Sequence, residues 1–218
     1  MRNRIRAFIS FILSLVCLSA TGNMYAQSDD FATWTSAKVN YKLTPSWKLS
    51  GMAEFRSKDH MKEADRIGMN VGVGYTVVPR LQLEAAYEVH YRNRGEDGWK
   101  FRHRYNAGVQ GSLKWQHFTF SLRERFQQTF FEGDIENRLR SRLKVAYSDN
   151  DWFVQPYFSA ELYQPIGDRP FFRVARMRYR PGIQMDLSQM CSLDVFYCRQ
   201  YEPDKCKNIV GLEFAFDF

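Results

Sequence analysis

The stretch Asn208-Ile209-Val210-Gly211-Leu212-Glu213-Phe214-Ala215-Phe216-Asp217-Phe218 alternates in polarity with a period of two. Successive side chains of a strand point to opposite faces. Val210, Leu212, Phe214, Phe216 and Phe218 therefore share one face, and Gly211, Glu213, Ala215 and Asp217 share the other. One apolar and one polar face suit a strand with lipid outside and a polar lumen inside. They also suit the edge strand of a soluble sandwich, so this stretch leaves two readings open.

The amino terminus separates them by compartment. Arg2, Arg4 and Arg6 precede an apolar run from Phe8 to Leu18, followed by small and polar residues up to Tyr25-Ala26-Gln27. This is the pattern of a secretory signal peptide, with cleavage expected after Ala26. A spanning helix needs about 20 apolar residues, and this run is shorter. A lipoprotein signal through Cys17 fits poorly, because Val16 stands where a small residue is required. The domain reading is thus residues 1–26 as signal peptide and 27–218 as one β domain.

The full chain carries 31 Lys and Arg against 24 Asp and Glu, and removing the three leader arginines leaves 28 against 24. Compartment and modest charge both argue against nucleic acid as a partner. No apolar run after Ala26 reaches helix-spanning length, so a membrane crossing would have to be made by strands. Three cysteines follow the leader, Cys191, Cys198 and Cys206, an odd number. Cys198 with Cys206 is one pairing; the alternative leaves all three as thiols.

Eleven alternating segments can be laid out. They are Thr33–Leu43, Trp47–Ser57, Arg66–Val77, Leu81–Arg92, Trp99–Leu113 and Phe118–Phe130, then Arg138–Tyr147, Trp152–Tyr163, Phe172–Leu187, Ser192–Gln200 and Lys207–Phe218. Short connectors fall at 44–46, 78–80, 114–117, 148–151 and 188–191. Longer polar ones fall at 58–65, 93–98, 131–137, 164–171 and 201–206. Short turns on one side and longer loops on the other are an outer-membrane-barrel pattern. Trp34, Trp47, Trp99, Trp115, Trp152, Tyr91 and Tyr147 lie near segment ends, as interfacial aromatic girdles would. The expected fold is all-β: a small transmembrane antiparallel barrel of about 10 to 12 strands. Single-chain bacterial barrels have even strand numbers, which favours ten or twelve over eleven.

In that register Phe214, Phe216 and Phe218 resemble the terminal signal that the barrel-assembly machinery reads, which names this machinery as an expected partner beside outer-membrane lipid and lipopolysaccharide. The inward face would carry Arg56, Arg102, Arg104, Arg123, Arg125, Arg138, Arg140, Arg142, Arg176, Arg178 and Arg180. Opposite them stand Glu54, Glu84, Glu88, Glu161, Asp194 and Glu213. One reading is a ladder of ion pairs that crosslinks strands from within. The other is a guanidinium surplus that attracts a small anion, such as a phosphate or sugar acid. Gly68, Gly72 and Gly74 share the polar face of the third segment, where neighbouring side chains could pack over them.

A lipid hydrolase is the competing activity, since it needs a serine beside a histidine. His103 falls on the lipid-facing register, His90 on the lumenal one, His60 in a loop and His117 in a turn, and none has an adjacent Ser on its own face. Glu84 and Glu88 share a face but stand roughly 13 Å apart, too far to share a catalytic water. No phosphate-binding glycine loop or metal motif stands out, and neither a catalytic site nor a cofactor is expected. A secreted sandwich or lipocalin-like binder is the second competitor.

Trp34, Phe55-Arg56, Phe101-Arg102-His103-Arg104, Leu122 to Phe126 and Asn137-Arg138-Leu139-Arg140, taken in order behind a signal peptide, resemble the domain-of-unknown-function family 2490. That resemblance implies an outer-membrane barrel of the kind found mainly in Bacteroidota, and implies no activity.

Overall fold

A computed structural model describes residues 29–149, 152–167 and 173–218; the expected signal peptide lies outside them. All eleven segments form strands: β1 (Asp29–Lys42), β2 (Trp47–Lys58), β3 (Glu63–Val78), β4 (Leu81–Asn93), β5 (Trp99–Trp115) and β6 (Phe118–Phe131), then β7 (Asp134–Tyr147), β8 (Val154–Ile166), β9 (Arg176–Ser188), β10 (Cys191–Glu202) and β11 (Lys205–Asp217). The expected start of the ninth segment at Phe172 lies outside the described residues. Each strand pairs with its sequence neighbours, and β11 pairs with β1 to close the barrel.

Closure explains the parity. Consecutive strands are antiparallel, but β1 and β11 run parallel, from Asp29 opposite Cys206 to Asn40 opposite Asp217. Among the described residues the count is therefore eleven rather than ten or twelve. Parallel ladders are slightly weaker per residue, and side chains reinforce this seam. Lys207 Nζ lies 2.5 Å from Asp30, Asn40 donates to Asp217 at 3.0 Å, and Ser36 Oγ donates to Glu213 at 3.5 Å.

The loops sort by length less than expected. The β6–β7 connection is only Glu132-Gly133, and β10–β11 only Pro203-Asp204. Glu132 and Gly133 both have positive φ, 50° and 92°, which matches the twist of a tight hairpin and lets the strands run on to the turn. On that rim only β4–β5 and β8–β9 keep connections longer than those at β2–β3.

Polarity is inverted relative to a soluble protein. Met69, Val71 and Phe101 are 67, 63 and 61% exposed, while Glu88, His90, Asn106, Gln127, Glu161 and Gln200 are buried. Such a surface cannot be explained as a solvated sandwich face. One small apolar cluster does lie inside, made of Ala32, Phe196, Cys198 and Ile209 beside the β1–β11 seam. Trp34 packs against it, so this residue belongs to the interior and not to the girdle. Its inward placement follows from its register opposite Arg56 and Gly211.

Cys198 and Cys206 form no disulfide. In the β10–β11 register Tyr201 faces Cys206 and Cys198 faces Ile209. Cys198 consequently points inward while Cys206 sits on the other face.

Candidate functional site in the charged lumen

Alternation along each strand sends the expected charge-ladder residues to the inward face, and their partners come from two residues along the same strand or from strands nearby. Glu54 on β2 accepts a bond from Arg56 at 2.8 Å, lies 3.2 Å from Arg66 Nε and 3.4 Å from His90 Nδ1. Glu88 on β4 bonds His90 and Arg104, each at 3.0 Å, Asn70 at 3.0 Å and Asn106 at 2.9 Å. Asn70 and Asn106 meet one oxygen of this carboxylate, and His90 and Arg104 the other.

The opposite wall is built around Glu161 on β8. Arg140 donates to it at 2.6 Å, Tyr163 Oη at 3.1 Å, and Arg142 and Arg178 stand 3.8 and 3.7 Å away. Asp194 on β10 takes Arg180 at 2.6 Å and Tyr157 Oη at 2.8 Å. Arg176 bonds Glu202 at 2.8 Å, and Arg138 bonds Glu136. Arg102 instead stacks on Phe131, with its guanidinium 4.6 Å from the ring centre.

Glycines make the longer bridges. Arg125 on β6 donates to Glu84 on β4 at 2.9 Å across β5, where Gly108 leaves the space. A Cβ on Gly108 would stand 3.1 Å from Glu84 Oε1. Gly68 likewise lies beneath His90 and Glu54, with its Cβ position 2.7 Å from His90 Nδ1. Gly182 lies under the Tyr157 ring and Gly211 under that of Phe196. These positions are places where side chains of flanking strands meet over a bare backbone.

The ion pairs do not use all the positive charge. Arg123 and Arg142 are directly opposite each other on β6 and β7, as are Arg125 and Arg140 one row on. Like charges facing across a ladder repel, and Glu84 and Glu161 reach in from β4 and β8 to offset this. Arg123 and Arg142 receive only 3.8 Å contacts from those carboxylates. Lys144 sits over the Tyr157 ring at 4.0 Å. Lys38 faces the lumen from β1, within electrostatic reach of Glu213 and of Arg123 and Arg142. All four line one cavity of about 590 Å³. Sequence reasoning left out Lys38, Lys144, Arg66 and the lumenal rings of Trp34, Tyr157 and Tyr163. Their even or odd position on each strand would have found them.

Toward the rim of the β10–β11 turn Trp34 lines this cavity. Arg56 and Arg178, from β2 and β9, both lie over its ring, at 3.8 and 4.7 Å from the centroid. The Arg178 guanidinium also bonds Gln200 and Tyr163.

The remaining expected residues fall as follows. Glu213 lines the cavity near Ser36. Phe214 and Phe216 face outward on β11, and the Phe218 backbone exchanges hydrogen bonds with Asn40 and Lys42 of β1. His103 is outward and bonded to Tyr87 Oη at 2.6 Å. His60 lies in the β2–β3 turn, and the His117 ring lies tilted against that of Tyr147.

Among solved structures the chain is similar to the NanC porin, with a TM-score of 0.51 at 14% identity, covering 83% of this chain and 93% of that one. It also aligns with the translocator domain of the autotransporter NalP from Neisseria meningitidis, with a TM-score of 0.45 at 11% identity, covering 76% and 72%. At such identities the porin likeness speaks for the fold alone. No curated protein matches the chain. The profile of the family described as "Protein of unknown function (DUF2490)" matches residues 31–209, and the chain belongs to that family.

Proposed function

We propose that this chain is an outer-membrane β-barrel whose lumen receives a small anion bearing phosphate or carboxylate groups. The observation that carries the reading is the cavity group Lys38, Arg123, Arg142 and Lys144, cations from opposite walls; the nearest carboxylates stand 3.8 Å from Arg123 and Arg142, and among the described residues neither lysine has an ion pair within 4 Å. Guanidinium groups bind such anions through paired hydrogen bonds, and rings of basic side chains favour anion entry. The exposed apolar wall and the leader pattern of residues 1–26 support the membrane location. Barrel-assembly machinery, membrane lipid and lipopolysaccharide are the partners this location entails.

The test is planar-bilayer conductance of detergent-folded protein, compared with an Arg123→Ser, Arg142→Ser double variant. Anion-selective steps in the parent and weaker selectivity in the variant are expected. A silent bilayer from folded protein would reject passage and favour a second reading, a plugged structural barrel. The stacking of Arg56 and Arg178 on Trp34 is what favours that alternative. A hydrolase reading draws less support. His90 lies between the carboxylates of Glu54 and Glu88, with no hydroxyl nucleophile among its described partners.

A further inference from the structure

The outward wall is mostly apolar, and Glu124 sets a carboxylate in the middle of it. It stands on β6 six residues from Phe118 and seven from Phe131, opposite Val109 on β5 and Ser141 on β7. Leu122, Phe126 and Leu143 around it are 52, 40 and 50% exposed. Ser141 Oγ donates to its carboxylate at 2.7 Å, the one side-chain bond Glu124 makes among the described residues. The register and half-way position set this carboxylate against the hydrocarbon centre, if the wall faces lipid as proposed above. Ionisable groups there are costly unless something polar meets them.

The patch is self-complementary. A carboxyl and a hydroxyl side by side offer an acceptor and a donor, and a twofold axis through them would let each Ser141 serve the other copy's Glu124. Beside them β5 presents the small outward row Ala107, Val109 and Gly111, and a Cβ on Gly111 would meet only open space and the Arg80 carbonyl at 4.0 Å. Under that axis β5 of one copy faces β8 of the other, so this shallow strip meets the outward Ala160 and Leu162 there. Farther along the same face Gln128 donates to Asn137 at 3.2 Å, a second pair of the kind. Close approach at small residues together with shared hydrogen bonds is how protein surfaces associate within lipid. We infer that the outward face of β5–β8, centred on Glu124 and Ser141, is the contact through which two copies of this barrel pair in the membrane.

The inference rests on the membrane reading, and the experiment separates the two. Full-length mature barrel is folded, inserted into phosphatidylcholine vesicles, checked by flotation and heat-modifiable migration, and counted by single-molecule photobleaching over a dilution series. Dimers are expected. Glu124→Leu, still inserted and heat-modifiable, should weaken pairing by at least about tenfold, whereas Glu124→Gln, which keeps hydrogen-bonding capacity, should weaken it less. A photoreactive benzoylphenylalanine at Leu122 should crosslink protein to protein, and one at Val210, on β11, should not. Single subunits at every density, unchanged pairing of Glu124→Leu, lipid adducts only at position 122, or crosslinks from position 210 instead would each overturn the inference. Failure of the parent to float with vesicles would overturn the membrane reading itself.

Discussion

Arg125 Nε and Glu84 Oε1 are 2.9 Å apart although a whole strand lies between them, because Gly108 of β5 puts no side chain in the path. The lumen is therefore braced across next-nearest strands as well as along each ladder, and that geometry makes Gly108 a structural requirement.

Replacing Gly108 by Val should destabilise the folded barrel by about 1–3 kcal/mol through overpacking. The added atoms would strike Glu84 and the Glu124 carbonyl. Gly111→Ala, on the outward face with open space around it, is the matched control and should be near neutral. Urea unfolding in detergent, followed by tryptophan fluorescence, would compare the two.

Glu161→Ala removes the carboxylate that Arg140, Arg142 and Arg178 share. Leaving enclosed guanidinium groups unopposed should cost about 3 kcal/mol. Adding Arg140→Ala should recover part of this loss, because the two residues act as one unit. A double-mutant cycle on unfolding free energies tests the coupling, and additive losses would contradict it.

Trp34→Ala should act twice. Removing the ring from between Arg56 and Arg178 widens the lumen, and removing its packing against Phe196 loosens the β1 seam. The expected cost in stability is about 3 kcal/mol, accompanied by a rise in single-channel conductance over the parent. Lower stability with unchanged conductance would mean that Trp34 does not set the narrowest point.

The parallel β1–β11 pair puts Asp29 beside Cys206, on the rim of the Pro203–Asp204 turn. An epitope placed immediately before Asp29 and another inserted at Pro203 should therefore be accessible from the same side of intact cells. One inserted at Pro45, in the β1–β2 turn, should be shielded there. Opposite exposure of the first two would require an even number of crossings.

Strand positions and facing were legible along the chain because facing is a local property: every second residue shares a side, whatever the rest of the molecule does. That is why Arg104, Arg140 and Glu161 could be placed inside, and why His103 could be placed outside. The same rule holds for Lys38, Lys144 and Glu124. Trp34 stands near a strand end, where a girdle residue would, yet its parity puts it inside. The cysteines needed one step more. A two-residue turn makes Tyr201 face Cys206, so the inward positions are even on β10 and odd on β11, and residues 198 and 206 part company.

The sequence by itself determined an exported-looking chain of alternating segments with an apolar side and an arginine-rich side, since period, leader and turn residues are all read over a few neighbours. Only the tertiary structure decided that β1 closes on β11 in parallel, that Glu84 meets Arg125 over Gly108, and that Trp34 lies between Arg56 and Arg178. Each of these joins residues from different strands. Whether they meet depends on how the sheet curves and closes, which no local pattern encodes.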